Sequence, residues 1–173
     1  MTATLKRPDA TEAAPFYHGY IAHVPDGDIL DSLNRQLGEL EALLDGVVDA
    51  SIRYAPEKWT LGEVLLHIID TERVFAYRAL RFARGDDTPL PGFDQDVFMA
   101  AVDVSDRSVA SLLDELWTVR GATLALLRSF GEAAWDRAGV ASGHPMTTRG
   151  AAWVIAGHAA HHMAILRDRY LAD

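Results

Sequence analysis

The sequence contains no cysteine. That removes disulfides, thiolate ligands and a cysteine nucleophile together, and any bound metal must be held by nitrogen or oxygen. Positive charge is scarce: 16 Lys and Arg stand against 25 Asp and Glu, a formal charge of −9, and no basic run interleaves with aromatics. Such a field repels phosphate backbones, so nucleic acid is not an expected partner. No run of about 18 apolar residues occurs, which argues against a membrane span. The opening residues, MTATLKRPDATEAAP, mix charge with proline. They read as a frayed tail and not as a signal peptide. A cytoplasmic protein is the expectation. Internal repeats, low-complexity tracts and a linker to a second domain are likewise missing.

What is present suits one domain. The chain has 173 residues, 49% of them hydrophobic, enough for one continuous core. We expect a single domain over 1–173, with 1–25 an N-terminal extension packing on or fraying from it.

Four segments carry helical periodicity, and no alternating strand pattern with hairpin turn residues is evident. The class is all-α. The first helix follows Pro25-Asp26-Gly27-Asp28, where an Asp can cap it, and its apolar residues Leu30, Leu33, Leu37, Leu40, Leu44 and Val47 recur at three and four. The second starts at Thr60, with Glu63 completing a capping box, and ends near Gly85. A loop rich in Pro, Gly and Asp follows, with a helical turn expected around Asp94 to Ala101. Ser105 or Ser108 opens the third helix, whose core positions include Leu112, Leu116, Leu124 and Leu127. After a connection from Gly131 to Met146, Thr147 or Thr148 caps a fourth helix running to about Tyr170. Helices of some 20 residues would be about 30 Å long and match one another, as a bundle requires.

Two charged residues share register with these apolar stripes. Glu72 in the second helix and Arg120 in the third need partners if buried, and the pair can serve each other.

The chemistry-bearing residues are histidines. In Gly157-His158-Ala159-Ala160-His161-His162, His158 and His162 stand four apart and leave one face of the fourth helix one turn apart. They can chelate one ion; two core histidines each satisfied by a carbonyl would show the same spacing. His67, flanking the core stripe of the second helix, can bring a third nitrogen to the same point. His161 sits one position off that face, as a support, an interhelical contact or a solvated residue. His18, His23 and His144 fall in irregular segments and read as surface residues. Asp70, three residues from His67, is a candidate for orienting an imidazole or accepting a proton, set against the commoner helix-surface carboxylate. Trp59, Trp117, Trp135 and Trp153, with Tyr17, Tyr20 and Phe93, suit a pocket mouth or a core, and none is assigned to substrate.

The segment from Trp59 to Arg73 (WTLGEVLLHIIDTER), with GHAAHHMAIL from Gly157 to Leu166 far downstream, resembles the DinB/YfiT-like superfamily of damage-inducible proteins and metal-dependent hydrolases. The resemblance runs from Tyr20-Ile21 and Pro25–Asp28, through Phe75–Arg78 and Pro91–Asp94, to Tyr170. It implies a four-helix bundle of up-down-down-up connectivity. It also implies a metal held by one histidine of helix two and two of helix four, positions matched by His67, His158 and His162. The long connection between helices two and three fits such a crossover.

Some members of the family are thiol S-transferases or isomerases that use bacillithiol or mycothiol, and others carry only the hydrolase label. Three neutral imidazoles would leave a metal an open coordination position, the pattern of a catalytic site. The leading expectation is therefore a metal-dependent enzyme activating a low-molecular-weight thiol, or water, for attack on a small electrophile, in a detoxification or stress-response setting. A metal-dependent hydrolase is the competing enzyme reading, and a non-catalytic metal- or ligand-binding bundle is a third. Without cysteine in the chain, the thiol would be a cosubstrate. Zinc or nickel is the expected ion, since imidazoles suit both. A homodimer is compatible with the resemblance, although the pattern separates no exposed apolar stripe from the core.

Overall fold

The structure, a computed structural model, describes residues 6–172. Its helices follow in chain order as α1 (His18–Ala22), α2 (Ile29–Leu43), α3 (Leu61–Ala83), α4 (Gln95–Ala100), α5 (Val109–Arg128) and α6 (Thr148–Ile165). The long ones, α2, α3, α5 and α6, form a four-helix bundle. Their starts are fixed by the polar residues that sequence singles out. Asp28 accepts from the Leu30 amide, and Thr60 and Glu63 form the reciprocal capping box. Between the paired candidates, Ser108 caps α5 through the Ser111 amide and Thr147 caps α6 through the Gly150 amide. Each cap satisfies an amide that the helix itself leaves free. Beyond Ile165 the chain winds on as a π-helical turn, Leu166–Tyr170.

Contacts between helix ends give the connectivity. Gly62 lies beside Leu112, both near the starts of α3 and α5, and Arg84 lies over the Phe130 ring just past their ends. Those two helices are parallel neighbours. Tyr170, at the end of the fourth bundle helix, donates to the Trp59 carbonyl ahead of α3 at 2.7 Å, so α3 and α6 are antiparallel. Arg120 reaches the Leu33 carbonyl, and Trp117, a turn earlier on α5, reaches Glu41 further along α2; α2 and α5 are antiparallel as well. The order is up-down-down-up, and α4 lies in the crossover between the parallel pair.

In two places the structure departs from expectation. Residues 138–147 form a hairpin, β1 (Ala138–Ala141) antiparallel to β2 (His144–Thr147). Its strands are four residues each and poor in β-branched side chains, so they give no alternating signal. The two-residue turn takes Ser142 and Gly143, both at positive φ (55° and 78°), the turn that matches strand twist.

The second concerns the N-terminal tail, where the packed alternative holds and the frayed one does not. Its residues 1–5 lie outside the described residues, but 6–28 are packed and not frayed. Ala13, Ala14, Tyr17, Ile21 and Val24 are buried. Arg7 donates to the Ile21 carbonyl at 2.8 Å, and Arg149 of α6 pairs with Glu12 at 3.0 Å. The segment runs directly over α6 because that helix offers glycine where the backbones meet. A Cβ at Gly157 would fall 2.2 Å from the Tyr20 carbonyl oxygen, and one at Gly150 2.4 Å from that of Glu12.

The apolar interior is two blocks. One gathers Ile29, Leu33, Phe75, Phe82, Leu127 and Trp153; the other gathers Leu40, Leu61, Leu65, Ile68, Leu112 and Leu166. All four bundle helices change from one block to the other at the same level, where they place Gln36, Glu72, Arg120 and His158, all buried. Arg120 binds both Glu72 carboxylate oxygens at 2.8–3.0 Å and the Leu33 carbonyl at 2.6 Å. Gln36 donates to the Ala156 carbonyl at 2.7 Å. Buried polar groups are tolerable only when paired, and this layer pairs them across all four helices.

Candidate metal centre

His67 reaches this polar level from α3, and His158 and His162 reach it from α6. The imidazoles converge through one nitrogen each. His158 Nε2 lies 2.9 Å from His67 Nε2 and 3.1 Å from His162 Nε2, and the three donor nitrogens all fall within 4.8 Å of one another. Tetrahedral ligands 2.0–2.1 Å from a zinc ion would stand about 3.3 Å apart, close to the two separations from His158 Nε2. His67 and His158 are 3% and 4% exposed.

Burial sets their charge state. His67 is pushed down to about 4 by desolvation. His162 is pushed to about 3, by desolvation first and then by its imidazole neighbours, and His158 lies well below its ordinary value for the same reasons. All three are neutral bases near pH 7, the form a metal requires. His162 Nδ1 is buried without a hydrogen-bond partner, and among the described residues no carboxylate joins the cluster. Three facing ring nitrogens with no acid between them fit a cation better than they fit one another.

Other rings wall the cluster. Trp59 packs 5.0 Å from His67, and Tyr20 packs edge-on at 5.3 Å from His158. A cavity of about 390 Å³ opens on one side, where Tyr17, Phe75, Phe93 and Ser142 join His67 and His158. A second cleft of about 270 Å³, bounded by Trp59, Asp96 and Tyr170, reaches His162. Gln95, at the start of α4, borders both. The Oγ1 of Thr71, one turn beyond His67, is buried and unpartnered on the wall of the larger cavity.

The remaining candidates separate. Asp70 does not join the cluster; its carboxylate turns along α3 to Arg73, at 3.4 Å. Burial raises its pKa, with the Arg73 hydrogen bond opposing that rise. His161 packs against Tyr20 and His23 and adds no ligand to the cluster. His23 and His144 are exposed, whereas His18 opens α1 with its Nε2 3.0 Å from the Ala10 carbonyl. Trp135 and Trp153 are core residues and Trp117 is 41% exposed. Phe16, Thr71, Asp94 and Ser142, which line the cavity, were not singled out from sequence. Thr71 alone carried a usable signal, one helical turn from His67.

A four-helix bundle with crossed connectivity and an inward-facing histidine triad is the class that fold and site define. The chain belongs to the DinB superfamily, whose family profile matches residues 32–166. Among solved structures it is similar to YfiT from Bacillus subtilis, described as a probable metal-dependent hydrolase with an unusual four-helix bundle topology. That match has a TM-score of 0.71 and 18% identity over 93% of this chain and 89% of the other. Among curated proteins no sequence match is found.

Proposed function

We propose that His67, His158 and His162 hold one divalent ion, zinc or nickel, and that the protein is a metal-dependent enzyme acting on a small electrophile. The observation that carries this reading is the convergence of three neutral Nε2 atoms, two on buried rings and one on a half-buried ring, where two cavities meet the bundle. An ion with three imidazole ligands keeps a position open and supplies Lewis acidity, lowering the pKa of water or of a thiol that reaches it. The chain's own groups do the rest. The imidazoles bind and are kept unprotonated by burial. Trp59 and Tyr20 pack against their rings and limit the access of bulk water. The Thr71 hydroxyl is free to hold a reacting partner beside them.

The attacking group in the leading form of this proposal is a low-molecular-weight thiol, transferred to the electrophile in a detoxification or stress setting. It comes from a cosubstrate because the chain has no cysteine. Hydrolysis is the second reading, favoured by the description of the Bacillus subtilis relative as a probable metal-dependent hydrolase.

Elemental mass spectrometry on untagged protein tests the site. Close to one equivalent of metal in the parent, lost in His67→Ala, His158→Ala and His162→Ala, is the expected result. A parent that stays metal-free after reconstitution, or variants that keep their metal, refute it. Turnover of electrophiles with added thiol, and none without, separates transfer from hydrolysis. Tight metal with no turnover under either condition leaves a binding protein.

A further inference from the structure

Behind the wall of the larger cavity lies a charge that the metal reading does not use. Arg78 is 1% exposed, as buried as Arg120, yet among the described residues its hydrogen-bond partners are all neutral. It donates to the Tyr17 hydroxyl at 3.4 Å, the Pro91 carbonyl at 3.2 Å and Ser142 Oγ at 3.0 Å. The Phe75 and Phe93 rings lie 4.7 and 5.8 Å from its guanidinium carbon. Ring faces offset part of the cost of a buried cation, but they do not neutralise it.

A guanidinium only donates, so both hydroxyls must accept from it and each keeps its own proton to give elsewhere. Tyr17 and Ser142 both line the cavity. Ser142 is also the one non-glycine at positive φ among the described residues, a turn position where glycine would be less strained. The hairpin accepts that strain and holds a hydroxyl at the cavity wall. On α3, His67, Thr71, Phe75 and Arg78 share one face, at intervals of four, four and three. The unpartnered Thr71 hydroxyl therefore stands between the histidines and Arg78.

We propose that Tyr17 and Ser142, backed by Arg78, form an anion-binding subsite for a small carboxylate with an apolar or aromatic body. The body packs against Phe16, Phe75 and Phe93, while the carboxylate accepts the two hydroxyl protons. Anion binding here needs no metal; that the anion belongs to the substrate of the histidine site rests on the function proposed above.

The test uses benzoate and its neutral isostere benzamide on full-length, chelator-treated protein, by titration calorimetry and amide NMR. Benzoate is expected to bind saturably, at least tenfold tighter than benzamide, with shifts at the Thr71 and Ser142 amides. Tyr17→Phe and Ser142→Gly should each weaken benzoate about tenfold and leave benzamide unchanged. Both variants retain Arg78, so the test stands even if Arg78→Met does not fold. Equal binding of the two probes overturns the proposal. So does no saturable benzoate binding in the millimolar range, or binding indifferent to both variants. Binding that appears only when zinc is restored, and disappears in His162→Ala, places the carboxylate at the histidines and also overturns it. Failure of the protein to take up metal would leave the benzoate result untouched.

Discussion

Arg120 grips Glu72 through both carboxylate oxygens with each side chain 1% exposed, and the same guanidinium reaches α2 through the Leu33 carbonyl. A buried pair of this kind is dangerous to halve, because the remaining charge has no water to turn to. Glu72→Leu or Arg120→Met is expected to cost about 3–5 kcal/mol, and the two combined should recover most of that. Urea unfolding of the three variants measures it; additive losses in the double variant would contradict the account.

Metal removal should be visible in stability as well as composition. A ligand at 1,000 times its Kd adds about 4 kcal/mol to a fold that alone can bind it. The parent's Tm is expected to rise when zinc or nickel is added to chelated protein, and that of His158→Ala to stay put. A rise in both would place the metal elsewhere.

The metal-free protein should be sensitive to acid, and the sign follows from the depressed imidazoles. Unfolded histidines titrate near 6.5, whereas folded His67 and His162 wait until about 4 and about 3. Between those values the unfolded chain binds more protons. The stability contributed by keeping the rings neutral is therefore complete above about pH 6.5 and is lost as pH falls toward 4 and then 3. The slope in that window is about 1.4 kcal/mol per pH unit for each histidine. Urea midpoints from pH 7 to 5 should fall more steeply for the parent than for His67→Ala.

Two glycine replacements should move stability in opposite directions. Gly157→Ala drives a Cβ onto the Tyr20 backbone, and overpacking of that kind costs about 1–3 kcal/mol. Gly38, inside α2, has open space around it, so Gly38→Ala should gain about 0.8–1 kcal/mol from helix propensity. Thermal unfolding of both variants decides it; equal effects would mean that α1 can lift off α6 at little cost.

The helices and the histidine triad were legible because each rests on a local rule. Apolar spacing gave the stripes, Thr60 and Glu63 gave a helix start, and four-residue spacing put His158 and His162 on one face. Glu72 and Arg120 were legible too, as charges in an apolar register. The hairpin was not, because strands such as Ala138–Ala141 take their shape from packing on α3, where Gly139 lies against Phe82. The packed N-terminal segment was equally hidden. What orders Ala13 and Tyr17 is contact with a helix more than 100 residues downstream, held by Gly150 and Gly157, and no short window of sequence contains that relationship. Asp70 sits at a spacing that could have met His67, but its carboxylate is taken by Arg73, and spacing alone does not say which of two neighbours a side chain turns to.

The family match begins at residue 32, after the stretch that supplies Phe16, Tyr17 and Tyr20 to the cavity wall. The profile-matched bundle thus carries the imidazoles, and the leading strap carries three of the residues that face the cavity. Substitutions at Phe16 or Tyr17, which touch none of the three imidazoles, can recut the shape of the chamber while leaving the ring nitrogens where they are. The form of the chamber and the placement of the imidazoles thus rest on different stretches of chain.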